Sequence, residues 1–173
     1  MIDKILVAVD RSPLNQSVFD TALSLAQTMN ANLMLLHIIS PQESEYPLMP
    51  VNAYPLIVDM NYDLYRQQFA EYKQKGLEFL QNLTKKATSQ GVETESTQIE
   101  GNPGSIICEI ANNWSADLIV VGSRGLKGIK EVFLGSVSNY VTHHAPCSVF
   151  IVRVAPESTL QNNFTSERQQ ISQ

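Results

Sequence analysis

Short apolar runs alternate with stretches of helical periodicity along this chain. Most of these runs are continuous rather than alternating, which is typical of parallel strands that are covered on both faces. One run is more polar, and we expect it near a sheet edge. The predicted strands are Ile5–Val9, Leu33–Ile39, about Glu93–Ile99 (the polar one), Asp117–Val121 and Cys147–Arg153.

Helices are predicted in the gaps between the strands. Ser12 as N-cap and Pro13 at the first helical position start the first helix. Gly91 is expected to stop the second helix, about Tyr62–Ser89. The turn at Gly101–Gly104 opens the third helix, and the fourth runs from Ser136 to about His144.

Each of the first three helices has one apolar face at helical spacing. The predicted core faces are Val18, Ala22, Leu25, Ala26 and Met29 in the first helix; Phe69, Tyr72, Gly76, Leu80, Leu83 and Ala87 in the second; and Ile106, Ile107, Ile110, Ala111 and Trp114 in the third.

Strands that alternate with helices predict an α/β fold with a doubly wound parallel sheet and right-handed crossovers. The 173 residues fit a single domain, which we expect over 1–154. Four prolines lie between Pro41 and Met60 without a clear period, so 41–61 is predicted to be a variable loop that acts as a lid. Residues 155–173 are polar and rich in Gln and Ser, which predicts a mobile tail.

Glycines and serines cluster where the fourth strand ends. Val121-Gly122-Ser123-Arg124-Gly125 is followed after nine residues by Gly135-Ser136-Val137-Ser138, which opens a helix. Glycine permits a positive φ and a close approach of the backbone to a ligand. A helix N-terminus adds unpaired N–H groups and a partial positive charge. Together they predict a cradle for a phosphate chain; the alternative is a simple turn after a buried strand.

This spacing, Gly-x2-Gly-x9-Gly-Ser, resembles the ATP-binding branch of the universal stress protein family. Lys4–Asp10 with Arg11-Ser12 resembles the family's opening strand and ribose-binding aspartate, and Leu35–Ile38 resembles its second strand. Cys147–Arg153 resembles its last strand, the usual dimerisation edge, so the resemblance implies a homodimer. It covers roughly residues 1 to 154 and implies a five-stranded, adenine nucleotide alpha hydrolase-like (Rossmann-like) sheet in the order 3-2-1-4-5.

The resemblance also implies a site for ATP or AMP, with Mg²⁺ as a companion of a triphosphate. Asp10 is expected to bind the ribose hydroxyls, although it also suits a cap on the following helix. Ile38 would offer backbone groups and an apolar wall to adenine, with a plain core residue as the alternative. The candidate ligand-binding residues are Val9, Asp10, Ile38, Val121, Gly122, Arg124, Gly125, Gly135, Ser136, Val137 and Ser138.

Charge narrows the range of partners. The net charge of −5 and the pI of about 5.1 argue against general binding to nucleic acid or to an anionic membrane. Arg124 is expected to pair with phosphate, Lys127 suits either that role or a solvated loop, and Lys130 is expected on the surface. No apolar run approaches the roughly 20 residues of a membrane span, and the N-terminus lacks the pattern of a signal peptide. A cytoplasmic location is therefore expected.

Cysteine and histidine show no metal-ligand spacing. Cys108 and Cys147 are too few for a disulfide framework and are expected as small buried apolar residues, with redox sensing as the alternative. His37, His143 and His144 are scattered and are expected to be structural or exposed.

Several enzyme classes are excluded by missing motifs. There is no Gly-x4-Gly-Lys-Ser/Thr and no Gly-x-Gly-x-x-Gly after the first strand, which argues against a Walker-type NTPase and a dinucleotide-binding domain. No nucleophile–base pair or carboxylate pair stands out, so we expect no catalytic residue. The expected function is an adenine-nucleotide-binding stress or regulatory protein that signals occupancy through the lid and the dimer surface. The alternatives are a slow ATP hydrolase and a structural dimer that binds no nucleotide.

Overall fold

The computed structural model describes residues 1–41, 43, 45–47, 58–123 and 134–153, with only the backbone course for 58–61. Strands and helices alternate through these residues. In chain order they are β1 (Lys4–Val9), α1 (Asn15–Met29), β2 (Asn32–Ile39), α2 (Val58–Ser89), β3 (Thr94–Glu100), α3 (Pro103–Trp114), β4 (Leu118–Gly122), α4 (Ser136–His144) and β5 (Ser148–Val152).

The strands form one five-stranded parallel sheet in the order β3-β2-β1-β4-β5. α1 and α2 cover one face, where Phe19 and Leu80 belong to the same buried cluster as Val7. α3 and α4 cover the other face, where Ile107 and Val141 pack with the opposite side of the sheet. The predicted fold class and strand order are therefore confirmed. No helix among the described residues is long and apolar enough to cross a membrane.

The two central strands separate toward their carboxyl ends. β1 stays paired with β2 as far as Val9, and β4 stays paired with β5 as far as Gly122. The pairing between β1 and β4 ends earlier, at Val7 and Val120. The last residues of β1 and β4 are therefore not paired with each other, which allows a crevice between these strands at their carboxyl ends. Strand order also reverses here, which is where ligands bind in open α/β sheets.

The first helix begins later than predicted. Ser12 and Pro13 lie in a turn, and α1 starts at Asn15, after an N-cap at Leu14 that makes no side-chain hydrogen bond. The prediction of Ser12 as N-cap was wrong because its hydroxyl and its N–H both donate to Oδ1 of Asp10. The predicted core face was wrong at Met29, which is 37% exposed in the last turn of α1.

The remaining helix boundaries follow local signals. α2 begins at Val58, before the predicted Tyr62, and most of its predicted stripe is buried between Tyr72 and Ala87. Gly91 has a φ of 82° just after the helix, the left-handed conformation that favours glycine. α3 begins after Asn102, whose side chain accepts a hydrogen bond from the Ser105 N–H at 3.3 Å.

Candidate functional site

Asp10 follows β1, and one of its carboxylate oxygens orders the turn before α1. Oδ1 accepts hydrogen bonds from the Ser12 N–H at 3.0 Å and from the Ser12 hydroxyl at 2.5 Å. The Asp10 N–H donates to Oδ1 of the buried Asn15 at 3.2 Å. Among the described residues no group donates to Oδ2 of Asp10. The carboxylate is thus held in place by Oδ1, and within the described part of the chain Oδ2 has no donor, which suits it to accept a ligand's hydroxyl groups.

The end of β4 and the start of α4 meet at Gly122 and Gly135, on the other side of the crevice. Gly122 is the last residue of β4, and Gly135 is the N-cap of α4. The Gly135 N–H donates to the Ser123 carbonyl at 2.8 Å, which fixes the start of α4 beside the end of β4. No side chain caps α4 among the described residues. Its first-turn N–H groups therefore keep the partial positive charge that attracts an anion.

Neither Gly122 nor Gly135 has a positive φ. Gly135 is extended, with φ −61° and ψ 159°, and Gly122 lies within a strand. Among the described glycines, positive φ occurs at Gly91 and Gly101, outside the crevice. The property that remains useful at Gly122 and Gly135 is the missing side chain, which lets a ligand approach the backbone closely.

The apolar residues among the candidate ligand-binding residues lie on two different faces of the sheet. Ile38 and Val121 are buried in the cluster that packs under α3 and α4, and Val137 lies partly buried against it. Val9 faces the opposite side, in the cluster under α1 and α2. Ile38 and Val121 thus lie on the α3–α4 face of the sheet, whereas the side chain of Val9 lies on the α1–α2 face.

The serines of α4 differ in their exposure. Ser136, the first helical residue, is exposed, and the hydroxyl of Ser138 is buried, with the residue 1% exposed. Arg124 and Gly125, two further candidates, lie outside the described residues, as do Lys127 and Lys130, most of the predicted lid and all of the predicted tail. Asp10 and Gly122 thus lie at the carboxyl ends of β1 and β4, and Gly135 and Ser136 lie at the start of α4.

A buried polar cluster at the end of β2 was not predicted. His37 is 1% exposed, packs edge-on against Phe79, and places Nε2 at 3.2 Å from Oε1 of Glu43. This is an ion-pair distance without hydrogen-bond alignment, since neither ring nitrogen of His37 meets the geometry of a hydrogen bond. The signal in the sequence was a histidine inside an otherwise apolar strand, but its partner lies in the following loop.

The same region fastens Arg11 to the segment after β2. Arg11 forms an ion pair with Glu45, and its guanidinium lies over the Tyr72 ring, 5.4 Å from the centroid. Tyr46 packs edge-on against Tyr72 and Phe69, at centroid distances of 5.9 and 5.8 Å. These contacts close the α1–α2 side of the sheet edge.

The remaining candidates for chemistry have structural surroundings. Cys108 and Cys147 are partly buried rather than fully buried, and burial raises the pKa of both thiols. His143 and His144 are exposed, and His144 stacks on Tyr140 with a centroid distance of 4.0 Å. No cluster of three or more metal-ligating side chains occurs within the described part of the chain.

Comparison with known proteins gives the family. The chain matches the universal stress protein family over residues 1–153. It is 39% identical over 150 residues to universal stress protein Sll1388 of Synechocystis sp., covering 87% of this chain and 97% of that protein. Universal stress protein YxiE of Bacillus subtilis is 36% identical over 153 residues, which cover 88% of this chain and 100% of YxiE.

A solved structure of a universal stress protein family protein from Arabidopsis thaliana with AMP bound has the same fold. It is 25% identical, covers 91% of this chain and 95% of its own, and has a TM-score of 0.61. The sequence match and the structural match both extend over most of the chain. This chain belongs to the universal stress protein family.

Proposed function

We propose that this protein binds an adenine nucleotide, ATP or AMP, in the crevice between β1 and β4. The observation that supports this most directly is the early end of β1–β4 pairing, at Val7 and Val120. It separates the carboxylate of Asp10, after β1, from the N-terminus of α4, which has no side-chain cap within the described part of the chain. A nucleotide needs both, since its ribose donates hydrogen bonds and its phosphates accept them.

We assign each part of the nucleotide to residues around the crevice. Oδ2 of Asp10 accepts from the ribose hydroxyls. The backbone of Gly122 and Gly135 and the N-terminus of α4 receive the phosphates, with the exposed hydroxyl of Ser136 as a further donor. Ile38 contacts the adenine. The glycine spacing continues through Arg124 and Gly125, which we include in the phosphate site by sequence. The AMP bound in the Arabidopsis relative supports the choice of adenine.

Binding rather than turnover is the proposed role. Phosphoryl transfer requires metal ligands, a positioned nucleophile and charge stabilisation in line with the leaving group. No group of metal-ligating side chains is found in the described residues, although a triphosphate can bring Mg²⁺ bound to its own oxygens. Nucleotide occupancy would then be signalled through the 41–61 lid and a dimer surface in a stress response.

The direct test is the nucleotide content of the purified protein. Acid extraction and chromatography should recover ATP or AMP in amounts that approach one per chain, and titration calorimetry should give saturable binding to the stripped protein. Absence of both would contradict the proposal. Steady-state turnover of ATP at or above about 1 per second would instead favour the alternative of an ATP hydrolase.

We further propose a homodimer through β5. This strand is a sheet edge, and Phe150 at its centre is 43% exposed. The opposite edge, β3, is polar and places Glu95 and Ser96 in solvent. An apolar edge strand that is not protected is normally paired, and a second copy offers the same strand across a two-fold axis.

Light scattering should therefore give the mass of a dimer at micromolar concentration. Phe150→Lys should shift it to a monomer, while the matched edge substitution Ser96→Lys on β3 should leave the dimer intact. A monomeric wild type, or a dimer that survives Phe150→Lys, would contradict pairing through β5.

A further inference from the structure

The hydroxyl of Ser138 faces inward, toward the chain, rather than toward the crevice. It donates to the Gly135 carbonyl at 3.0 Å and to the Ser123 carbonyl at 3.3 Å. A hydroxyl has one hydrogen, so these two contacts share it. The residue is 1% exposed. A group that is enclosed in this way is poorly placed to meet a phosphate that enters from solvent.

The two carbonyls that Ser138 contacts belong to Ser123 and Gly135, the residues on either side of the glycine-containing segment 124–134. We call the junction of Ser123 with Gly135 the base of this loop. Ser123 follows β4 directly, and its N–H donates to the Val152 carbonyl of β5 at 2.8 Å. Gly135 is the N-cap of α4, and its N–H donates to the same Ser123 carbonyl at 2.8 Å. The Ser123 carbonyl therefore accepts from Gly135 and Ser138 together. This group of hydrogen bonds closes the loop at its base.

We propose that Ser138 is a positioning residue of the phosphate site: it holds the N-terminus of α4 against the end of β4 and does not contact the nucleotide. The inference rests on the proposed function, and it assigns the two α4 serines different roles. Ser136 contacts phosphate, and Ser138 orders the backbone that binds phosphate. Without the Ser138 hydroxyl, the Gly135–Ser123 hydrogen bond is retained alone, and the base of the loop opens more often.

The test separates order in the free protein from affinity for ligand. In nucleotide-free protein, Ser138→Ala should speed amide hydrogen exchange at Gly135 at least several-fold, because opening of the loop base exposes that N–H. Ser136→Ala should leave this exchange unchanged, since its exposed hydroxyl is not part of the closure. Thr142→Ala is the matched control, because Thr142 is one turn further along α4 and its hydroxyl donates to the Ser138 carbonyl at 2.7 Å.

Affinity is measured with ATP and with adenosine, which lacks phosphate. Ser138→Ala should weaken ATP binding about two- to tenfold, the range for one net hydrogen bond, and should leave adenosine binding unchanged. Thr142→Ala should alter neither. Ser138→Cys, which keeps a weak donor, should fall between wild type and Ser138→Ala, and it takes the place of the alanine variant if that protein does not fold.

Three outcomes would count against the proposal in different ways. Unchanged exchange at Gly135 would show that Ser138 does not order the loop base. Faster exchange with an equal loss for ATP and adenosine would show an effect on the fold rather than on the phosphate site. Wild-type protein that binds neither ligand would refute the proposed function alone, while the exchange rates would still decide whether Ser138 closes the loop.

Discussion

The strands β2 and β4 end at the same edge of the sheet, yet the chain completes the two ends in opposite ways. After β2, side chains of the protein fill the space, with His37 against Glu43 and Phe79. At the end of β4, Gly122 has no side chain to cover the backbone, and α4 has no side-chain cap among the described residues. The end of β2 is thus filled by the protein's own side chains, whereas the end of β4 presents backbone that we propose contacts a ligand.

The difference separates stability from binding. At the β2 end a substitution breaks contacts within the folded chain, so it should lower the free energy of unfolding. At the β1–β4 crevice we propose that the groups contact a ligand, so a substitution should cost more affinity than stability. Functional sites are where sequences commonly depart from local rules, and we propose the crevice as such a site.

The largest effect is expected at Gly122. Replacement by valine places a branched side chain where the proposed phosphate approaches the end of β4. ATP affinity should fall by more than about 100-fold, equivalent to about 2.7 kcal/mol, while the thermal midpoint changes little. Titration calorimetry and a thermal melt measure the two quantities on the same preparation.

Gly91→Ala is the matched control for Gly122→Val. Gly91 lies shortly before β3, at the end of the sheet where the strands begin, and has a φ of 82°. A β-carbon added there would have no described atom beyond its chain neighbours within 4 Å. Alanine at this position should cost stability through backbone strain and leave ATP affinity intact. If Gly122→Val binds ATP like the wild type, β4 does not end at a nucleotide site.

Asp10→Ala should weaken ATP binding by about 1.5–3 kcal/mol, the range for hydrogen bonds that involve a charged group. Asp10→Asn keeps an acceptor for Ser12 and so separates the charge of the carboxylate from its role in the turn. The informative ligand is 2′,3′-dideoxy-ATP, which lacks both ribose hydroxyls. Its affinity should hardly change in either variant, and an equal loss for both ligands would assign Asp10 to the turn alone.

Glu43→Ala tests the packed end of β2, where Glu43 faces His37. It leaves the buried imidazole of His37 without a facing carboxylate, so the free energy of unfolding should fall by about 0.5–3 kcal/mol, the usual range for a destabilising substitution. Urea unfolding should show this loss, with ATP affinity unchanged. Glu45→Ala is the control, because Glu45 is 63% exposed and its ion pair with Arg11 should contribute at most about 1 kcal/mol. Equal stability of the two variants would mean that the His37–Glu43 contact does not close this end.

The sequence was most informative where a pattern repeats. Continuous apolar runs predicted β1, β2 and β4 because a parallel strand between two helical layers buries both of its faces. The start of α1 was missed because two local signals competed: a serine before proline favours a helix cap, but Asp10 two residues earlier takes the same hydroxyl. A single sequence does not show which of two nearby acceptors a hydroxyl will choose.

The positions of Asp10 and Gly122 relative to the strands followed from the sequence, whereas the orientations of side chains did not. Asp10 and Gly122 lie at strand ends that the alternation of strands and helices places together. The inward direction of the Ser138 hydroxyl depends on the carbonyl of Ser123, fifteen residues earlier and across a loop. The contact of His37 with Glu43 likewise depends on how the chain turns after β2. Neither contact has a periodic signal, so both required the three-dimensional arrangement.

The smallest effect is expected at Ser12, and it tests how the orientation of Asp10 contributes to the β1–β4 crevice. Its hydroxyl donates to Oδ1 of Asp10 at 2.5 Å, and its N–H makes a second bond to the same oxygen at 3.0 Å. Ser12→Ala removes the first bond and keeps the second, so the carboxylate becomes less firmly oriented without being lost. ATP affinity should fall by about 0.5–1.5 kcal/mol, and Ser12→Thr, which retains the hydroxyl, should restore most of it. The comparison ligand is again 2′,3′-dideoxy-ATP, for which the loss should vanish because no ribose hydroxyl depends on how Asp10 is oriented. A Ser12→Ala protein that loses the same affinity for both ligands would show that the turn supports the crevice as a whole and not the ribose contact.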